Sequence, residues 1–407
     1  MRKRITWLAV LLGLGVGVAP QAARAQPGIG GLDVPPAALS TSIPWPFGRP
    51  RLEQGGFYVA GEFMYWRQTN PLGNQPLAFR GIVDFDGTVH QALGIPGGAG
   101  DFIGSHANAL DVNYVSGPNG FQPGFNFTVG YRFEWGVAVE MRWIHLFDNR
   151  LSATASLIPP TQSGQFQAET FLTSPVFNES LPFTGPGNTT GQGSVLGTFG
   201  IWDASQMQQI TFVQRFDQWE LNIRVPMQES ECWRTYGLFG PRIVSMWERF
   251  SWRVVNQEVD GSTPPEDIAQ YSNVVSNRLY GVHVGVGNEW FLGDTPIGAF
   301  SISLDVHAAL FADFVKGRPK YQLDDKSTAA SHPRNFFSVV PELDGALNVW
   351  YYPYEGVVLR MGYEAMGFFN TYASPRPVDF NFGAITPEYT HVFRLFDGFN
   401  FGAGFIF

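Results

Sequence analysis

The chain has 407 residues, 44% hydrophobic and only 15% charged, with a formal net charge of −9. That acidic balance lacks the basic footprint of a nucleic-acid binder, and a lone cysteine, Cys232, gives neither an intrachain disulfide nor a thiolate metal cluster. Phe 36, Trp 12 and Tyr 14 beside 47 glycines fit strands, turns and loops better than a charged soluble enzyme.

In chain order, Met1-Arg-Lys-Arg4 is a positive start, and Ile5 to Val18 is an apolar stretch. Ala23-Arg-Ala25 supplies the small-x-small pattern of a signal-peptidase site, so residues 1–25 read as a cleaved secretory signal. A membrane helix needs about 20 apolar residues, and Pro20, Gln21 and Arg24 interrupt this one. Loss of Arg2, Lys3, Arg4 and Arg24 would lower the charge from −9 to −13. Residues 26–55 carry Pro27, Pro35, Pro36, Pro44, Pro46 and Pro50 with several glycines, and read as an extended periplasmic arm.

From 56 to 407 the dominant signal is alternation. Successive strand residues face opposite sides. In 56–66, Phe57, Val59, Phe63 and Tyr65 share one face while Glu62 lies on the other. In 123–134, Phe125, Phe127, Val129, Tyr131 and Phe133 alternate with Asn126, Thr128, Gly130, Arg132 and Glu134. A tight turn at Trp135-Gly136 leads to Val137, Val139, Met141 and Trp143, alternating with Glu140 and Arg142. The pattern recurs at 219–225 around Glu220 and Arg224, at 280–287 around His283, at 300–307 around Asp305 and His307, at 342–349, and at 357–364 around Arg360 and Glu364. The last segment places Phe399, Phe401, Ala403, Phe405 and Phe407 on one face, with Asn400, Gly402 and Gly404 on the other. Aromatic residues crowd one face, and the opposite face is rich in Gly, Ser and single charges.

Past the signal, no apolar run is long enough to cross a bilayer as a helix, so any crossing is made by strands. Short links near 135–136, 228–232, 292–298 and 352–355 alternate with long ones at 67–122, 148–205, 258–272, 315–334 and 370–396. Barrels of the bacterial outer membrane have short periplasmic turns and long extracellular loops. The pattern predicts an all-β protein, a single closed antiparallel transmembrane barrel of ten strands. Twelve is the alternative if 216–218 and 246–247 are turns. Lipid leaves no partner for an open edge, so 399–407 is expected to pair with 56–66. Phe399, Phe401, Phe405 and Phe407 also match the closing strand read by the barrel-assembly machinery, which with outer-membrane lipid is the expected partner. Oligomeric state is left open.

Several segments resemble the bacterial β-barrel porin family numbered seven in its series. They are Gly56-Phe-Tyr-Val-Ala-Gly-Glu-Phe-Met-Tyr-Trp66, Trp219-Glu-Leu-Asn-Ile-Arg224, Leu238-Phe-Gly-Pro-Arg242 with Glu248, Asn277-Arg-Leu-Tyr-Gly281 with Gly285, and Leu359-Arg-Met-Gly-Tyr-Glu364. Ile243 stands where that family's Gly-x-Arg is expected to be followed by an aromatic. These are strand and packing patterns, so the resemblance implies a fold rather than an activity.

No complete catalytic or cofactor motif is present, so neither enzyme activity nor a cofactor is expected. His283 and His307, with Asp305 nearby, read as interior polar residues rather than a metal site. Asp84-Phe-Asp-Gly87 reads as a turn, lacking the further ligands of a calcium loop. Lys316, Arg318, Lys320 and Lys326 read as a solvated loop. The candidates that carry chemistry are the inward charges Glu62, Arg132, Glu134, Glu140, Arg142, Arg224, Arg242, Glu248, His283, Glu289, Asp305, Glu342, Asp344, Arg360 and Glu364. Both signs occur on a narrow barrel. The expectation is limited passive passage of small solutes with weak ion selectivity. The alternatives are a structural or surface-display barrel with a plugged lumen and an outer-membrane hydrolase at the rim. Glu134 or Glu140 is expected to pair with Arg132 or Arg142.

Overall fold

The computed structural model describes residues 56–84, 87–115, 120–156, 168–178, 201–230, 232–256, 263–295, 297–326, 329–354 and 356–406. The signal with Ala23 and Ala25, the arm 26–55 and Phe407 lie outside them. The chain divides into Met1–Thr41 and Ser42–Phe407, and every described residue belongs to the second unit.

Ten long strands follow one another as a meander: β1 (Gly56–Gln68), β2 (Gln122–Arg132), β3 (Ala138–Ser156), β4 (Met207–Glu229), β5 (Trp233–Val255), β6 (Ile268–Thr295), β7 (Gly298–Leu323), β8 (Arg334–Tyr354), β9 (Val357–Ala373) and β10 (Thr390–Ile406). Each pairs antiparallel with its neighbours in sequence, and β10 pairs with β1 to close the ring. The closing register runs from Tyr58↔Ile406 through Phe63↔Phe401 to Gln68↔Phe396. Closure satisfies backbone groups that lipid could not. No turn interrupts 216–218 or 246–247, because β4 and β5 are continuous strands of 23 residues each. The ring therefore has ten strands.

The alternation sorts side chains as a membrane barrel requires. Phe127, Val129, Met141, Val282, Val284, Leu359, Phe399, Phe401 and Phe405 face outward and are exposed, while Asn126, Glu140, Glu220, His283 and Glu364 face inward and are buried. The outer apolar band ends toward the loop side in aromatic residues. Trp143 stacks on Trp219 at 4.7 Å between ring centres, and Tyr280 meets Phe314 edge-on. Crossing a hydrocarbon core takes about 9–11 strand residues. β6 and β7, with 28 and 26 residues, project well beyond it on that side.

The turn-side links are tight. Phe133 N–H donates to Val137 O at 2.8 Å, and Gly136 takes φ 91, a left-handed value that glycine adopts at little cost. Glu134 lies in this turn and is exposed, so it does not line the lumen as expected; the strand ends at Arg132, two residues before it. At the loop side the expected loop 315–334 shrinks. Lys316, Arg318 and Lys320 sit on β7, which runs to Leu323, because Tyr321 and Leu323 pack inward as core residues.

The interior is not the small, polar wall that the sequence suggests. Alternating with the charges on the inner face are Tyr58, Met64 and Trp66 of β1, Ile144 and Leu146 of β3, Phe216 of β4, Met246 of β5, Leu279 of β6 and Phe311 of β7. Three of them share the inner face of β1. Together they form apolar layers across the barrel.

Candidate functional site

The lumen is built in layers from the turn side to the loop side. Nearest the turns, Glu140 accepts hydrogen bonds from Tyr58 Oη at 2.9 Å, Asn222 Nδ2 at 3.1 Å and Arg224 Nε at 2.9 Å. Arg224 also lies over the Tyr236 ring, and Tyr236 Oη donates to Asp305 Oδ1 at 2.5 Å. Beside them Arg234 pairs with Glu289 at 3.0 Å, and Ser301 and Tyr352 donate to the same carboxylate. Each acid here meets a cation or several donors, which offsets the cost of burying it.

Above lies one continuous polar network. Arg360 Nη1 donates to Glu62 Oε1 at 2.6 Å, and Asn126 Nδ2 donates to Glu62 Oε2 at 2.8 Å. Arg142 donates to Asn126 at 3.1 Å and grips Glu364 with two nitrogens at 3.1 and 2.7 Å. A further bond from Arg142 reaches Glu220 at 3.3 Å. Arg242 continues the chain to Glu220 at 2.8 Å, Glu342 at 2.9 Å and Asp344 at 2.7 Å, and His307 Nδ1 lies 2.7 Å from Asp344. Asn400 of β10 donates to Glu364 Oε2 at 3.0 Å, so among the described residues the network draws on β1 to β5 and β7 to β10.

Part of this network follows the wall, as in Arg142–Glu220, Arg242–Glu220 and His307–Asp344 on adjacent strands, and part crosses the lumen. Arg142 on β3 and Glu364 on β9 are four strands apart around the ring. The expected pairing of Glu134 or Glu140 with Arg132 or Arg142 does not form. Glu140 pairs instead with Arg224 of the neighbouring β4, and Arg142 bonds Asn126 of β2 and Glu220 of β4 as well as reaching across to Glu364. Arg132 sits half-buried at the turn-side end of β2.

A third layer is apolar. Phe216 of β4 contacts Phe396 of β10 at 4.3 Å between ring centres and Phe368 of β9 at 6.3 Å, so opposite walls touch here as well. Trp66 Nε1 donates to Asn400 Oδ1 at 2.7 Å, which lets a fully buried indole sit in this layer without an orphaned donor. Just above, Arg394 of β10 forms a buried bidentate pair with Glu248 of β5, its Nη2 at 2.8 Å from Oε2. Those strands are five apart, the largest separation a ring of ten allows. Sequence reasoning missed Arg394 by treating 370–396 as loop. Its alternation with Phe393 and Leu395 was the available signal.

The loop side is capped by folded loops. The segment between β9 and β10 folds over the mouth; just before it Asn370, with φ of 65, sits where the pairing of β9 with β10 shifts register. Gln75 exchanges two hydrogen bonds with the Val378 backbone, Tyr271 Oη donates to Pro377 O, and Tyr321 Oη donates to Asp379 O. Phe382 packs on Trp202 and Tyr321, and Trp202 meets Trp252 edge-on. Asp84 is buried in the first loop, accepting from the Gly87 and His90 amides and lying 2.7 Å from His90 Nδ1. Burial raises its carboxyl pKa, but these bonds outweigh that and hold it below the ordinary value.

The remaining histidine candidate is His283, buried on β6 with its ring centre 6.1 Å from that of His307. Among the described residues no group of three His, Cys, Asp or Glu side chains is arranged to hold a metal. Asp305 is engaged by Tyr236 and Asn348 instead.

A closed ten-strand sheet with an apolar belt outside and charges inside defines an integral β-barrel of the bacterial outer membrane. No protein-family model matches the chain, the seventh porin family included, and no curated protein matches it. Among solved structures it is similar to the outer membrane protease OmpT of Escherichia coli, at 7% identity over 86% of this chain and 97% of that one, with a TM-score of 0.38. It is also similar to the outer membrane channel DcaP of Acinetobacter baumannii (10% identity, 87% and 96% covered, TM-score 0.14). A third is the toluene transporter TbuX of Ralstonia pickettii (9% identity, 87% and 90% covered, TM-score 0.16). At these values none of the three bears on activity or substrate.

Proposed function

We propose that this barrel is a sealed structural platform that displays a folded cap at the cell surface, rather than an open pore. The observation that carries the reading is the Arg394–Glu248 pair, which joins walls five strands apart beneath the cap. The Arg142–Glu364 grip and the Phe216–Phe396 contact support it at two further levels. Passive passage of solutes needs a continuous water column, and each of these layers interrupts one. Mixed charge that is internally paired also leaves little fixed charge of one sign to select ions. Resemblance to the seventh porin family adds an architecture to this reading and no transport activity, and no catalytic role is proposed. Outer-membrane lipid and the barrel-assembly machinery are the partners it implies.

Planar-bilayer recording on the purified, refolded protein tests the proposal. The expected trace shows no conductance steps in molar salt at either polarity. Reproducible ohmic steps from the unmodified protein would overturn it and restore the small-solute pore.

A further inference from the structure

The projecting half of the barrel carries a polar groove on its outer surface. A recess of about 380 Å³ opens on the outward faces of β3 to β6, lined in part by Asp148, Arg150, Gln209, Trp247, Arg249 and Arg253. The one acid among these is already committed, since Asp148 receives both Nε and Nη2 of Arg215 at 2.8 and 2.9 Å. That guanidinium also lies 5.4 Å over the Trp247 ring. Arg253 has only a long contact of 3.9 Å to Asp324. Arg150 and Arg249 are exposed and have no hydrogen-bond or ion-pair partner among the described residues. The groove is thus cationic on a chain whose net charge is −9.

Its height on the barrel identifies the environment. On β4, Trp219 belongs to the aromatic belt; Arg150 and Arg249 pair in register with Val213, six residues further toward the loops, and Arg253 with Gln209, ten residues further. At ~3.4 Å per residue on a strand tilted by ~40°, those offsets are about 16 and 26 Å along the membrane normal. The arginines therefore stand above the acyl chains, from the head-group region outward, with Trp143, Trp219 and Phe147 presenting an apolar wall beneath them. A ligand that fits both parts has anionic oxygens above and acyl chains below. Guanidinium groups match phosphate oxygens two at a time.

We propose that this groove binds the phosphate groups of the phosphorylated glycolipid that forms the outer leaflet of the outer membrane. The inference uses the outward orientation of the loop side but not the sealing of the lumen, so lipid titration and bilayer recording fail independently.

The test titrates the full-length barrel in neutral detergent with lipid A, and in parallel with enzymatically dephosphorylated lipid A, counting bound lipid by native mass spectrometry. The unmodified protein is expected to prefer the phosphorylated lipid about tenfold or more, given that each cation near an anionic surface contributes roughly a fivefold factor. The combined variant Arg150→Gln, Arg249→Gln, Arg253→Gln is expected to lose that preference while keeping its heat-modifiable gel mobility. Lys316→Gln with Lys320→Gln, on β7 outside the groove, is expected to keep it. Equal binding of the two lipids by the unmodified protein overturns the proposal without any variant. So does an unchanged preference in the arginine variant, an equal loss in the lysine variant, or displacement of the lipid by equimolar inorganic phosphate.

Discussion

Arg242 is the side chain whose removal most directly tests the interior network. It is 1% exposed and donates to Glu220, Glu342 and Asp344. Replacing it with methionine keeps most of the length and apolar stem but deletes the charge. Two of the acids retain another partner, Glu220 in Arg142 and Asp344 in His307. Glu342 has Arg242 as its hydrogen-bonding cation, so the loss concentrates there. Breaking a buried ion pair from one side costs about 3–5 kcal/mol, because the other charge stays buried and unpaired. The single variant is therefore expected to lose about that much stability. Adding Glu342→Gln should return at least half of it, since a neutral amide leaves no orphaned charge. Urea unfolding in lipid vesicles, read by heat-modifiable gel mobility, measures both. A single variant within about 1 kcal/mol of the parent, which is the scale of an ordinary substitution, would refute the reasoning. A double variant as unstable as the single would refute it too.

Two further outcomes follow from the walls and the cap. Val284 faces outward in the apolar band and is 62% exposed, so Val284→Arg should cost about 2–4 kcal/mol at mid-bilayer in the same unfolding assay; a neutral result would mean the outer face is misassigned. The neighbouring inner position is no safer, because a Cβ on Gly285 would lie 2.0 Å from His307 Cδ2. In the cap, burial pushes the Asp203 carboxyl up to about 6 from an ordinary 3.8. The folded cap then binds this proton more tightly than the unfolded chain. Its stability should rise as pH falls from about 6 toward 3.8 and stay flat above that window. Hydrogen exchange at the mutually bonded Leu172 and Ser205 amides, corrected for intrinsic rates, reads this slope. Asp203→Asn should abolish it, and an unchanged slope in the variant would assign the effect elsewhere.

Local pattern was enough to determine the barrel. The alternation of Phe125, Phe127 and Val129 with Asn126 and Thr128 fixes which face meets lipid, because the period of a strand is two and a slip of one residue reverses every side chain. The even number of strands follows from the alternation of short and long links. The pairing of Phe401 with Phe63 follows from the rule that no edge can stay open in lipid. Inward residues such as Glu62, Arg142, Arg242 and Glu364 are legible for the same reason, and Glu134 was misread only because a strand end is the least defined part of the pattern.

What the lumen does was decided by tertiary structure. Which cation meets which acid depends on reach across the ring, and nothing local tells Arg142 to add Glu364, 222 residues away, to its neighbours Asn126 and Glu220. The apolar layers have the same origin. Tyr58, Met64 and Trp66 share the inner face of β1 and Phe216 lies on β4, and neither strand by itself shows what these side chains meet. Only when ten strands close around a narrow axis do Met64 and Trp66 come into one apolar layer with Phe216, Phe368 and Phe396.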